Sequence, residues 1–144
     1  MILLDTNILV HAASRTSPRH LKAKALCEQA YRGEIEACVS FQNLCEWYGV
    51  VTEGRRVSSP LSAEEASREL ELFLAPSPLV LLAVTPGVLQ RLPGLLRRSR
   101  SRGAHVFDVL LMATMMEHGV ETIYTENLRD FSGFREIRAV NPLA

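Results

Sequence analysis

Apolar residues along this chain fall into two kinds of run, and the two kinds alternate from end to end. Short, dense runs occur at residues 1–4 ("MILL"), 36–40 ("EACVS"), 79–84 ("LVLLAV"), 121–125 ("ETIYT") and 135–142 ("REIRAVNP"). They lack the polar alternation of a half-solvated strand, so they predict strands buried on both faces. Between them lie segments with helical spacing. Residues 6–13 follow a cap at Asp5 or Thr6. The segment after Pro18 carries Leu21, Ala25, Leu26 and Ala30 as an apolar stripe and closes at Gly33. Residues 41–53 set Phe41, Leu44, Cys45 and Tyr48 on one face. Residues 61–75 have Ser62 as cap, Glu65 at the capping-box position, and Leu70, Phe73 and Leu74 facing inward. Residues 86–102 read as two helical pieces broken near Pro93 and Gly94. Residues 104–119 form a long apolar helix ended by Gly119. "ENLRDFSGF" reads as a loop or short turn. This alternation predicts an α/β fold, a three-layer sandwich whose mainly parallel sheet of about four to five strands is covered by helices on both faces. No linker, repeat or shift of composition divides the chain, so residues 1–144 are expected to form one domain.

Charge changes this picture only locally. Sixteen basic residues balance sixteen acids, so the whole-chain field points to no polyanionic partner. No acid lies between Glu71 and Asp108, however, and Arg91, Arg97, Arg98, Arg100 and Arg102 crowd the second half of that interval. They suit a phosphate-binding surface, or equally a solvated helix end. Cys27, Cys38 and Cys45 are odd in number and lack C-x-x-C spacing, which predicts small buried thiols in a reducing compartment. The chain shows no signal-peptide pattern and no apolar stretch near the roughly 20 residues that span a bilayer, so a cytoplasmic protein without membrane contact is expected.

The acids carry the candidate chemistry. In open α/β sheets, ligand sites form beyond the carboxyl ends of the strands. Asp5 directly follows the first strand, Glu46 lies in the helix after the second, Asp108 opens the helix at 104, and Asp130 lies in the loop after "TIYT". Each has an ordinary explanation by itself: a helix cap, a solvated face shared with Asn43 and Glu53, a carboxylate on a helix dipole, a loop acid. Gathered at one rim they would repel one another, and a divalent cation relieves that repulsion. An all-oxygen donor set selects Mg²⁺ or Mn²⁺, and a carboxylate-held metal activates water for phosphodiester hydrolysis.

"LLDTNILV", "NLCEW" after "CVSFQ", "HVFDVLLMAT", "TIYTENLRDF" and the terminal "VNP" together resemble PIN-domain ribonucleases, above all the VapC-type toxins of bacterial toxin–antitoxin pairs. The resemblance spans the chain with the motifs in order. It implies Asp5, Glu46 and Asp108 as the metal-binding acids, with Asp130 a fourth catalytic candidate. Thr6 and Asn7 match the family's "DTN" and would hold Asp5, while Thr125 and Asn127 occupy its T-x-[DN] segment. Either Asn127 or Asp130 closes the fourth side. It further implies Mg²⁺, with Mn²⁺ as a substitute, and hydrolysis of RNA to 5′-phosphate and 3′-hydroxyl ends. Arg97, Arg98, Arg100, Arg102 and His105 are the candidate phosphate contacts. The implied partners are a VapB-like antitoxin lying against the first helices and a second copy meeting the helices near 40–75, in a larger hetero-oligomer. Two other readings remain open. One is a PIN-like module that binds RNA without cutting it. The other is a phosphoaspartyl phosphatase, which needs D-x-D where this chain has Asp5-Thr6-Asn7.

Overall fold

The computed structural model describes all 144 residues. Five short strands, β1 (Ile2–Leu4), β2 (Ala37–Ser40), β3 (Val80–Leu82), β4 (Thr122–Tyr124) and β5 (Arg138–Val140), pair in the order β3-β2-β1-β4-β5. Every pairing is parallel: Ile2 sits opposite both Ala37 and Thr122, Cys38 opposite Val80, and Thr122 opposite Arg138. Parallel strands require crossovers, and the helices α1 (Thr6–Ala13), α2 (His20–Tyr31), α3 (Phe41–Val51), α4 (Ala63–Leu74), α5 (Pro86–Ser99) and α6 (His105–Glu117) supply them, with a one-turn α7 (Leu128–Phe131) after β4.

The pleat sorts the side chains between two cores. Leu4, Ala37 and Val39 point to one face, where they meet Ile8 and Leu9 of α1, Ala23 and Cys27 of α2, Leu44 and Trp47 of α3, and Phe73 of α4. Leu3, Cys38, Leu82 and Ile123 point to the other, against Val109, Met112 and Met115 of α6 and Phe131 of α7. The result is the three-layer sandwich that the alternating runs predict, with β1 in the middle of the sheet and buried on both sides.

Helix ends follow their sequence signals, whereas helix faces depart from them. Ser62 and Glu65 form the reciprocal capping box that opens α4, and Gly33 and Gly119 take the left-handed backbone that ends α2 and α6. In α2 the buried stripe is Ala23, Cys27 and Ala30, while Leu21 is 79% exposed. Small residues on that stripe let α2 lie close against α1, with Leu26 and Tyr31 packed at its margin and Leu21 left pointing outward. In α3 the buried face is Leu44, Trp47 and Val51, with Phe41 and Cys45 exposed, because Trp47 fills the layer and sets the rotation. Cys45 therefore departs from the expectation of a buried thiol, while burial pushes the Cys27 and Cys38 thiols up to about 12. In α4, Ala66 and Phe73 are buried and Leu74 is exposed. The expected break at Pro93 is absent, and α5 runs through it. Pro93 lies on the exposed side, where water can satisfy the freed carbonyl, and Leu92, Leu95 and Leu96 hold the other side against the core.

Trp47 is 1% exposed and meets Phe73 edge-on at 5.5 Å and 72°. Truncation leaves a void between α3 and α4 that neither helix can fill. Trp47→Ala is expected to cost about 3–5 kcal/mol of stability in urea unfolding, and a loss under about 1 kcal/mol would contradict this packing.

Candidate active site

From β1 the chain builds outward to β3, then returns to the other side of β1 for β4 and β5. This reversal opens a crevice at the carboxyl ends of β1 and β4, the place where α/β sheets collect ligands. Asp5 stands at its floor. Its backbone is extended, its N–H donates to the Tyr124 carbonyl at 3.0 Å, and its Oδ1 caps α1 by accepting from the Thr6 N–H at 2.7 Å. Asp5 Oδ2 accepts from Thr125 Oγ1 at 2.6 Å and from Asn7 Nδ2 at 2.9 Å. Thr125 in turn accepts from Asn7 Nδ2 and from the Asn127 N–H, both at 3.0 Å, and Asn7 Oδ1 accepts from the Glu126 N–H at 3.2 Å. The "DTN" and "TEN" segments are thus one hydrogen-bonded unit spanning β1 and β4.

Glu46 joins from α3. Its Oε2 accepts from Thr6 Oγ1 at 2.9 Å and its Oε1 from Gln42 Nε2 at 2.8 Å. Behind it Asn43 is wholly buried. Asn43 Nδ2 donates to Thr6 Oγ1 at 3.2 Å, and its Oδ1 accepts from the Ser40 N–H at 3.1 Å and the Ser40 hydroxyl at 2.9 Å, closing the α3 capping box. Asp108 enters from the first turn of α6, whose positive dipole end faces the rim because the following strand, β4, runs toward that rim. Asp130 comes from α7. One ligand atom each of His105, Asp108 and Asp130 lie within 4.8 Å of one another, with His105 Nδ1 at 3.5 Å from Asp108 Oδ2.

These side chains line a cleft of about 760 Å³ whose wall carries five carboxyl groups, from Asp5, Glu46, Glu53, Asp108 and Asp130, against a single arginine, Arg56. Burial pushes the Asp5 carboxyl up to about 6; the Thr125 and Thr6 hydrogen bonds oppose the shift, and the neighbouring Glu46 and Asp108 reinforce it. The Asp108 carboxyl is raised too, first by burial, then by Asp130 and Glu46, with His105 opposing. A cation suits this donor set. The carboxylates destabilise one another, their fixed partners are neutral dipoles, and the groups on offer are oxygen with one imidazole.

The sequence-predicted acids therefore line one cleft, with only Asp108 and Asp130 in the close cluster with His105 and with Asp5 and Glu46 farther along the wall. Thr6, Asn7 and Asn127 line the same cleft, while Thr125 lies buried beneath it. Asp130 sits beside Asp108, whereas the Asn127 N–H bonds to Thr125. Arg97, Arg98, Arg100 and Arg102 do not line the cleft. The Arg98 guanidinium is paired with Glu136 at 2.7 and 3.0 Å and lies 4.8 Å over the Phe134 ring, and Arg91 is paired with Glu117. The structure adds residues that the sequence reading passed over. Gln42 and Asn43 orient the carboxylate face; the Ser40-x-x-Asn43 spacing was the available signal for Asn43. His11, one turn after Asn7, bonds to Ser17 Oγ at 2.7 Å and to Glu126, which also pairs with Arg19 at 2.9 Å, so the loop after β4 is pinned to α1.

A five-stranded parallel sheet covered by helices on both faces, with carboxylates gathered at its carboxyl edge, defines a PIN-like α/β fold. The chain belongs to the PIN-domain family, whose model matches residues 2–138. It is 31% identical to Ribonuclease VapC24 of Mycobacterium tuberculosis over 144 residues, covering 99% of this chain and 97% of that protein. It is also 31% identical to Ribonuclease VapC48 of the same organism over 140 residues, covering 97% and 96%. The fold resembles the crystal structure of Mycobacterium tuberculosis VapC20, a toxin that cleaves the sarcin–ricin loop, with a TM-score of 0.69, 21% identity, and 96% and 99% of the two chains covered. It also resembles a chain of a toxin–antitoxin complex from Klebsiella pneumoniae, with a TM-score of 0.63, 21% identity, and 99% and 98% covered.

The raised Asp5 carboxyl makes stability depend on pH. The unfolded carboxyl ionises near 3.8, whereas the native one keeps its proton to about 6. In that window the unfolded state binds fewer protons, so stability falls as pH rises. Asp5 alone accounts for a loss on the order of 3 kcal/mol, complete above pH 6. Metal-free Asp5→Asn protein is therefore expected to melt higher than metal-free wild type at pH 7, and added Mg²⁺ to raise the wild-type midpoint only. A variant less stable than wild type at pH 7 would refute the buried-charge account.

Proposed function

We propose that this protein is a divalent-metal-dependent endoribonuclease, acting as the toxin of a VapC-type toxin–antitoxin pair and held inactive by a cognate antitoxin. The observation that carries the reading is the Asp5 carboxylate, fixed at the carboxyl end of the central strand by Thr6, Asn7 and Thr125 and facing Glu46 and Asp108. Full-length similarity to proteins named ribonucleases supports it. Solved complexes of this fold, among them VapBC-1 from Haemophilus influenzae, support an antitoxin partner.

Asp5 and Asp108 would hold Mg²⁺ directly, with Glu46 and Asp130 completing the acidic surround and His105 offering a nitrogen donor that Mn²⁺ accepts as readily. The metal, when bound, supplies charge for the phosphate and lowers the pKa of an attacking water. The residues do the rest. Thr6 and Gln42 hold the two Glu46 oxygens, so one of them faces the attacking water and accepts its proton. Asn7 and Thr125 keep Asp5 from rotating as charge builds. In-line attack then breaks the bond to the 3′ oxygen, leaving a 5′-phosphate and a 3′-hydroxyl.

Purified protein is expected to cleave RNA with Mg²⁺ or Mn²⁺, to stop in EDTA, and to recover on readdition. Asp5→Asn and Asp108→Asn should each lower the rate at least about 100-fold and abolish growth arrest on expression. Undiminished cleavage by either variant would remove the carboxylate centre from the mechanism.

A further inference from the structure

We propose that Phe107 is the platform on which a nucleobase beside the scissile phosphate stacks, with Arg56 of the same cleft holding a neighbouring phosphate. The inference rests on the ribonuclease reading above and adds two residues that would touch the substrate. Phe107 is 54% exposed, yet it stands on the wall of a cleft that is otherwise dominated by charged and polar groups, one residue before Asp108. More than half of this large ring is left in water beside the carboxylates, where it gains little from burial. The backbone that carries it is nonetheless held, because the Phe107 carbonyl accepts from Gln42 Nε2 at 2.8 Å and the same amide donates to Glu46 Oε1 at 2.8 Å. The backbone that presents the ring is therefore coupled to the group that faces the attacking water.

The chemistry of the occupant follows from what surrounds the ring. With a cation bound at the carboxylates and Arg56 in the same lining, a flat apolar partner carrying negative charge suits this cleft. Arg56 lies in the loop between α3 and α4 and is the only lysine or arginine on the cleft wall. A nucleotide strand has both features, a base face for Phe107 and phosphates for the cation and Arg56. Duplex RNA does not, because its bases are stacked and its deep groove is closed to side chains. Aromatic stacking on unpaired bases is sequence-tolerant and is worth about 1–3 kcal/mol per base. The wall thus favours loops and single strands, without itself selecting a sequence.

The test measures binding in a hydrolysis-blocked Asp5→Asn background, with single-stranded RNA oligonucleotides in fluorescence anisotropy. Phe107→Ala should weaken binding about tenfold, Phe107→Trp should retain it, and Phe107→Leu, which keeps apolar area but lacks a ring face, should behave like Phe107→Ala. An abasic nucleotide at the contact should erase the difference between Phe and Ala. Arg56→Ala should weaken binding and reduce the salt slope by about one. Because Phe107 is exposed, melting temperatures should stay unchanged, which separates loss of stacking from loss of fold. Equal binding by Phe107→Ala, full retention by Phe107→Leu, or a changed oligomeric state on Phe107→Ala would overturn the inference, the last by making the ring a protein contact. Wild-type protein that neither binds nor cleaves any RNA would instead overturn the ribonuclease reading, so the two failures are distinguishable.

Discussion

A carboxyl group in a poorly hydrated place is the constraint around which this molecule is arranged. Asp5 is 8% exposed and needs hydrogen bonds to exist there, but every donor that reaches it is neutral: a backbone N–H, an amide and a hydroxyl. A guanidinium in any of these positions would satisfy the oxygens equally well and cancel the charge. The arginines that make ion pairs to carboxylates do so away from Asp5, Arg19 with Glu126, Arg91 with Glu117 and Arg98 with Glu136. Neutral dipoles fix the direction of the carboxylate while leaving its charge available to a cation. The same logic extends to Glu46, whose two oxygens are held by Thr6 and Gln42.

The fold makes that arrangement possible with little chain. Strands of three or four residues are long enough to cross the core and no longer, so each carboxyl end delivers its loop to one rim. Placing β1 between β2 and β4 brings Asp5 and Thr125 together although 120 residues separate them. The helix before β4 necessarily begins at the same rim, which is how Asp108 arrives from a segment preceding its strand. Side-chain amides then join the pieces, that of Asn43 wholly buried. Asn7 bridges the loops after β1 and β4, and Asn43 bridges the α3 cap to Thr6. Rigidity at the centre comes from these cross-links on top of the apolar packing beneath.

Local features of the chain were legible without the fold. Strand and helix alternation, the Ser62–Glu65 capping box, the glycines that end α2 and α6, and the order of the four acids can be read from neighbouring residues, because backbone propensity and capping act over one or two turns. Helix rotation was less legible. Leu21, Phe41 and Leu74 look like core residues by type, yet they are exposed, since a volume shared by several helices goes to the side chains that fit it. The arginine run at 91–102 illustrates a further limit. Charge density along a sequence says nothing about direction, and two of those side chains turn to acids across the outer face.

What the sequence determined by itself was the chemistry available: which carboxylates exist, in which element or loop each lies, and that Thr6 and Asn7 stand beside the first of them. What only the tertiary structure decided was which groups meet. The Asp5–Thr125 bond, the Asn43 and Gln42 bridges, and the lone Arg56 and exposed Phe107 ring in one cleft all depend on the strand order and on the rotation of helices about their axes. Both are set by packing volume summed over the whole core, a quantity that no local stretch of residues contains.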